Sequence, residues 1–168
     1  CISPVVSNLS VALTALNGTA QVRTRRKVET WSMEELYEDA WYNPLAHHSL
    51  RPGDLITGIE IPVVPNQRST YMQMSDKGDF DWALVSCAAA AVVDGATLSR
   101  PRLVLGAMAP VPYVSADANA FLDGKPLTPE TAERAAAMLL AGAETTAHNA
   151  YKVPMAQALV KRALLQLV

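Results

Sequence analysis

From Ala83 to Val93 the chain reads ALVSCAAAAVV, an almost unbroken apolar run closed on both sides by turn residues. It is about half as long as a bilayer span requires. Its length and boundaries suit a buried strand. Just upstream, Tyr71-Met72-Gln73-Met74 alternates, Asp76-Lys77-Gly78-Asp79 makes a polar turn, and Phe80-Asp81-Trp82 leads into the run. A charged loop at the mouth of such a strand, carrying Phe80 and Trp82, is the kind of place a planar ligand occupies. The plainer reading of the same residues is a hairpin closed by an aromatic plug.

The 168 residues are half apolar and carry a formal charge of −2, which suits a chain with a real core and one domain or two small ones. The basic run Arg23-Thr24-Arg25-Arg26-Lys27 is offset by acidic residues soon after it, so it reads as a solvated strand or hairpin end, not a nucleic-acid surface. Cys1 and Cys87 stand far apart and form no disulfide framework, and Cys87 reads as a small core residue. The opening Cys-Ile-Ser-Pro, with neither Met nor signal peptide, reads as a piece of something longer.

Taken in order, Ser7 to Leu16 predicts a short helix with Leu9, Leu13 and Leu16 on one stripe, ended by Asn17-Gly18. Gln21 to Glu29 predicts an exposed strand or hairpin, and Ser32-Met33-Glu34-Glu35 opens a second helix reaching Ala40. Trp41 to Pro44 and the pair His47-His48 form a loop. The paired histidines lack further metal ligands at helical or hairpin spacing. Leu55 to Pro62 alternates as a strand stopped by Pro62 and Pro65, the best candidate for an internal boundary. Three strand candidates follow: Ser69–Ser75, Trp82–Val93 and Pro101–Ala109. Their tight connections predict an antiparallel three-stranded sheet. Helices over Ala116–Leu122, from Thr128 to Thr146 and over Tyr151–Val168 complete an α+β fold.

No GxGxxG, P-loop, HExxH or GxSxG motif occurs, and the carboxylates are scattered. His148, near a helix end, reads as a cap. The residues alone lead no further than an α+β module.

Four stretches taken together resemble the FAD-binding (medium) subunits of molybdenum hydroxylases, the family of xanthine dehydrogenase, carbon monoxide dehydrogenase, aldehyde oxidoreductase and 4-hydroxybenzoyl-CoA reductase. Cys1 to Leu9 resembles the family's cysteine-led segment ending in Pro-Ser-Asp-Leu. Leu50-Arg51-Pro52-Gly53-Asp54-Leu55-Ile56, with Ile59 to Pro62, is similar to its L-x-P-G-E strand. Phe80 to Ser86 resembles its aromatic-Asp-x-Ala-x-Val hairpin, and Leu105 to Pro112 followed by Leu122 to Leu127 its G-G-x-A-P-x-P…L-x-G-K region.

The resemblance implies a subunit that carries FAD and passes electrons between iron–sulfur clusters and an external acceptor. A molybdenum-cofactor subunit and a [2Fe–2S] subunit would be the partners, and substrate chemistry would lie on another subunit, leaving no catalytic base here. Residues 1–64 would end the FAD-binding subdomain, and residues 65–168 would form the C-terminal flavoprotein subdomain. The glycine-rich loops that hold the diphosphate lie upstream in the family and are absent here. Backbone amides of such loops are what hold a diphosphate. The fragment alone is therefore expected to be inactive and to bind FAD poorly or not at all. By the resemblance, Asn8, Ile56, Tyr71, Gln73, Asp81 and Trp82 are the flavin-side positions. Cys1 is similar to the last ligand of an extra [4Fe–4S] cluster, which needs four thiolates, with an ordinary cysteine as the alternative. No nucleic acid and no membrane span are expected, and the expected compartment is the cytoplasm, with the periplasm as the alternative.

Some positions depart from the family's pattern. Its Asp in Pro-Ser-Asp-Leu is Asn8 here, and the position that often carries a flavin-side Lys is Gln73. A family Arg and Glu become Val114 and Asn119. A neutral amide can hydrogen-bond a flavin edge but cannot stabilise an anionic reduced flavin as a cation does. These changes leave a rival reading: a degenerate, non-catalytic scaffold that docks partner subunits without flavin.

Overall fold

The computed structural model describes residues 3–43, 45–78 and 80–168. The expectations placed on Cys1, Pro44 and Asp79 lie outside the described residues. The chain forms α1 (Asn8–Ala15), β1 (Thr19–Arg23), β2 (Val28–Ser32), α2 (Met33–Tyr42) and β3 (Leu55–Glu60). It continues with β4 (Gln67–Met74), β5 (Val85–Asp94), β6 (Thr97–Gly106), β7 (Tyr113–Val114), α3 (Ala116–Leu122), α4 (Pro129–Leu139) and α5 (Lys152–Leu165). The α+β expectation holds. Among the described residues no helix is long and apolar enough to cross a membrane.

The apolar run is β5, and it lies inside an antiparallel sheet of order β4-β5-β6-β7. The sequence suggests three strands. The fourth, β7, is a two-residue strand after Pro110-Val111-Pro112, too short to show a period of two. Successive β5 side chains point to opposite faces, yet nearly all are buried. Val85, Cys87, Ala89 and Ala91 face the core formed with α3, α4 and α5, while Ala88 and Ala90 face α1. A strand covered on both sides has no polar face to alternate with. Cys87 is accordingly a small core residue, fully buried.

Helix α1 is the element shared between the two sheets. Val11 and Ala15 pack on Ala88, Ala90 and Val104 of the four-stranded sheet. Leu13 packs with Ala20, Val22, Met33 and Leu36 of the second unit, a sheet of order β2-β1-β3 covered by α2. The expected Leu9–Leu13–Leu16 stripe is therefore corrected: Leu9 is 66% exposed, and burial follows two faces instead of one. A helix caught between two sheets needs two narrow apolar stripes, which a single-stripe reading misses. Ser7 caps the helix by accepting from the Ser10 amide. Asn17 ends it at φ +53, and the Gly18 amide donates to the Leu13 carbonyl. At Gly106 a Cβ would collide with Val11 and with the Ser86 hydroxyl, so the missing side chain lets α1 lie on the sheet.

The other termini follow their caps. The expected capping box forms at Ser32 and Glu35, and α2 runs two residues past Ala40 to Tyr42. Thr128 and Thr131 form a second box at α4. The expected extent of α4 to Thr146 is too long. It stops at Leu139, and beyond it Gly142 and the β-branched Thr145-Thr146 favour the turn in which the Asn149 carboxamide accepts from the Thr146 amide. Helix α5 is tied to edge strand β4, where Arg68 donates to the Leu167 carbonyl at 3.1 Å and Thr70 to Gln166 at 2.8 Å.

Candidate functional site

Strand β4 sets the site. Tyr71 and Gln73 lie two residues apart and so share one face of the sheet, the face that α1 covers. Met72 and Met74 turn the other way and pack on the core of the C-terminal helices. Asn8, at the first turn of α1, reaches across to β4. Its Nδ2 donates to Gln73 Oε1 at 3.0 Å, and the Tyr71 hydroxyl donates to the same oxygen at 3.1 Å. Gln73 Oε1 thus accepts twice from protein donors. The Gln73 NH2 has no protein partner among the described residues, and it faces outward as a neutral pair of donors. Burial pushes the Tyr71 phenol up, opposed in part by a hydrogen bond with Ser86. Ser86 itself is buried beneath the cluster, on the residue paired with Gln73 in the β4–β5 register.

The loop after β4 behaves differently from a plug. Phe80 is fully exposed and Trp82 is 78% exposed, so the aromatic-plug reading is corrected. Asp81 holds the loop instead. One carboxylate oxygen accepts from the Lys77 amide at 3.0 Å and the other from the Trp82 amide at 2.9 Å. With Phe80 at φ +53, this turn carries both rings outward because its polar backbone is satisfied locally. The Leu84 amide donates to the Met74 carbonyl at 2.7 Å and closes the hairpin behind them.

The structure therefore joins Asn8, Tyr71 and Gln73 directly, with Asp81 and Trp82 on the loop that follows their strand. Ile56 is on β3 of the other sheet, partly exposed at 38% and paired with Val22. Sequence reasoning missed Ser86 as the residue opposite Gln73, although the strand register is enough to find it once the hairpin is drawn. Among the described residues no group of three or more His, Cys, Asp or Glu could hold a metal, and His47 and His48 stand in a loop.

Residues 69–167, more than half of the chain, match the model of the CO dehydrogenase flavoprotein C-terminal domain. The chain belongs to that family. The match covers nearly all of β4 and runs through β5, β6, β7 and the three C-terminal helices, and it bears out the resemblance to FAD-binding subunits of molybdenum hydroxylases. The chain is also 27% identical over 158 residues to the aldehyde oxidoreductase FAD-binding subunit PaoB of Escherichia coli (strain K12), covering 94% of this chain and 46% of that protein. Its fold resembles quinoline 2-oxidoreductase from Pseudomonas putida 86, with a TM-score of 0.81 at 22% identity over 99% of this chain and 57% of that one. Carbon monoxide dehydrogenase from Hydrogenophaga pseudoflava gives a TM-score of 0.79 at 24% identity, covering 94% of this chain and 58% of that one. The chain spans about half the length of the relatives it matches.

Proposed function

We propose that the chain is the C-terminal part of the FAD-binding subunit of a molybdenum hydroxylase-type oxidoreductase, and that it forms one wall of the flavin site. The observation that carries this reading is the Asn8–Gln73–Tyr71 network, which turns two protein donors onto one amide oxygen and leaves the Gln73 NH2 outward. Flavin rings present carbonyl and ring-nitrogen acceptors along one edge, and a neutral donor pair fits such an edge. Bound FAD would supply electron transfer between one- and two-electron partners.

The residues of this chain would bind and shield. Gln73 donates to the ring edge, Asn8 and Tyr71 fix the orientation of its amide, the exposed Trp82 ring covers one face, and Ile56 adds apolar wall from β3. Asp81 holds the Lys77 and Trp82 amides and so sets the loop at the ring. The sequence holds no glycine-rich diphosphate loop, so the fit extends to the ring and not to the phosphates. Those loops would come from a further segment of the same subunit. In this reading residues 1–64 close the FAD-binding subdomain, residues 65–168 form the C-terminal one, and Cys1 is a candidate [4Fe–4S] ligand. A molybdenum-cofactor subunit and a [2Fe–2S] subunit are the partners between which the electrons move.

The test is the visible spectrum of the purified full-length subunit. Absorption bands of bound FAD are expected, at about one flavin per chain. A full-length subunit that purifies folded and colourless, and takes up no added FAD, would leave the scaffold reading in its place.

A further inference from the structure

A cavity lies between the α4–α5 connection and the β6–β7 connection, with a volume of about 570 Å³, and Gln73 is not among its lining residues. That volume is within the size range of small-molecule sites. Met108, Leu140 and Val153 give it apolar walls, and Trp41 and Tyr113, stacked with centroids 6.3 Å apart, stand among its lining residues. One cation enters it. Lys152 Nζ donates to the Ala107 carbonyl at 3.1 Å and makes no ion pair among the described residues.

We infer that this cavity binds a small carboxylic acid with an apolar body, the carboxylate held by Lys152 and the body by the leucine and methionine walls. An ammonium has three donors, and the Ala107 carbonyl takes one. A neutral carbonyl does not compensate a partly desolvated cation as an anion does. Desolvation accordingly lowers the Lys152 pKa. Among the described residues the site has a single cation, Lys152, which matches a monoanion better than a phosphate ester, whose charge and three oxygens call for more donors. Asn149 in the lining offers one further polar contact, and Glu144, the only carboxylate in the lining among the described residues, is exposed to water and can keep its own hydration.

Benzoate is the probe, with benzamide as its neutral counterpart, read by saturation-transfer NMR and Trp fluorescence on the full-length protein. Benzoate should bind, with benzamide weaker by about tenfold or more, the size of one charge-assisted hydrogen bond. Lys152→Met should weaken benzoate by a similar factor, and Lys152→Arg should retain it. Ala143→Trp, which fills the exposed rim and keeps Lys152, should block benzoate while leaving the flavin spectrum unchanged, and it carries the test if Lys152→Met does not fold. No binding of benzoate, equal binding of benzoate and benzamide, or full binding by either blocking variant in folded form would overturn the inference. So would binding that is lost in the assembled complex, which would mark the cavity as a partner's seat.

Discussion

Asn8 and Gln73, 65 residues apart, are hydrogen-bonded side chain to side chain at 3.0 Å. By the resemblance, Asn8 stands where the family carries an Asp and Gln73 where it often carries a Lys. The two departures are in contact, an amide pair where the resemblance implies an acid and a base. Either change alone leaves a charge facing an amide that can turn to meet it. Made together, Asn8→Asp and Gln73→Lys place opposite charges in contact. A double-mutant cycle on urea denaturation should show favourable coupling of about 0.5–1 kcal/mol, the scale of an exposed pair. Additive effects would separate the two positions.

Gly106→Ala tests the seat of α1. The added methyl meets Val11 and Ser86, both held by the packing of α1 on the sheet. The expected cost is about 1–3 kcal/mol, read as a lower denaturant midpoint at constant m-value. An unchanged midpoint would mean that α1 is free to shift.

Arg102 joins the two units. It sits on β6, donates to the Thr14 carbonyl of α1 at 3.1 Å and pairs with Glu34 of α2, while its Nε is buried without a partner. Glu34 is half exposed, so Glu34→Gln should cost less than about 1 kcal/mol. Arg102→Met removes the contact to Thr14 as well, and should cost about 1–3 kcal/mol. The opposite ranking would contradict this division of roles.

Burial lifts the Cys87 thiol from 9.0 to about 12. The folded state therefore holds its proton where the unfolded chain has lost it. Stability from this group is complete below pH 9 and falls as pH rises from about 9 towards 12, by about 1.4 kcal/mol per pH unit for one proton. Tyr71, also raised, adds to the slope at the upper end. Cys87→Ala should flatten the alkaline limb of a stability–pH profile. Native Cys87 should resist alkylation at pH 8 and react on unfolding.

The strongly patterned parts of the chain were legible. The β5 run, the capping box at Ser32, the Thr128 cap before Pro129 and the β3 alternation each state their structure locally. Leu9 misled because α1 lies between two sheets, which is a tertiary fact. Phe80 and Trp82 misled because aromatic residues suggest burial, whereas the Asp81 carboxylate organises a turn that holds them outward. At the site, Asn8 and Gln73 were each identifiable by resemblance, but their contact depends on where α1 rests against β4. The Lys152 cavity leaves no local signature, since its walls come from β6, α4, α5 and the loops between them.

The most direct measurement is the flavin midpoint potential of the full-length subunit carrying Gln73→Lys, compared with the unaltered protein. A cation in place of the neutral donor pair stabilises the anionic reduced ring. The potential should rise by about 30 mV or more, equivalent to about 1.4 kcal/mol for two electrons. An unchanged potential in a variant that still binds FAD would contradict the placement of Gln73 at the flavin edge.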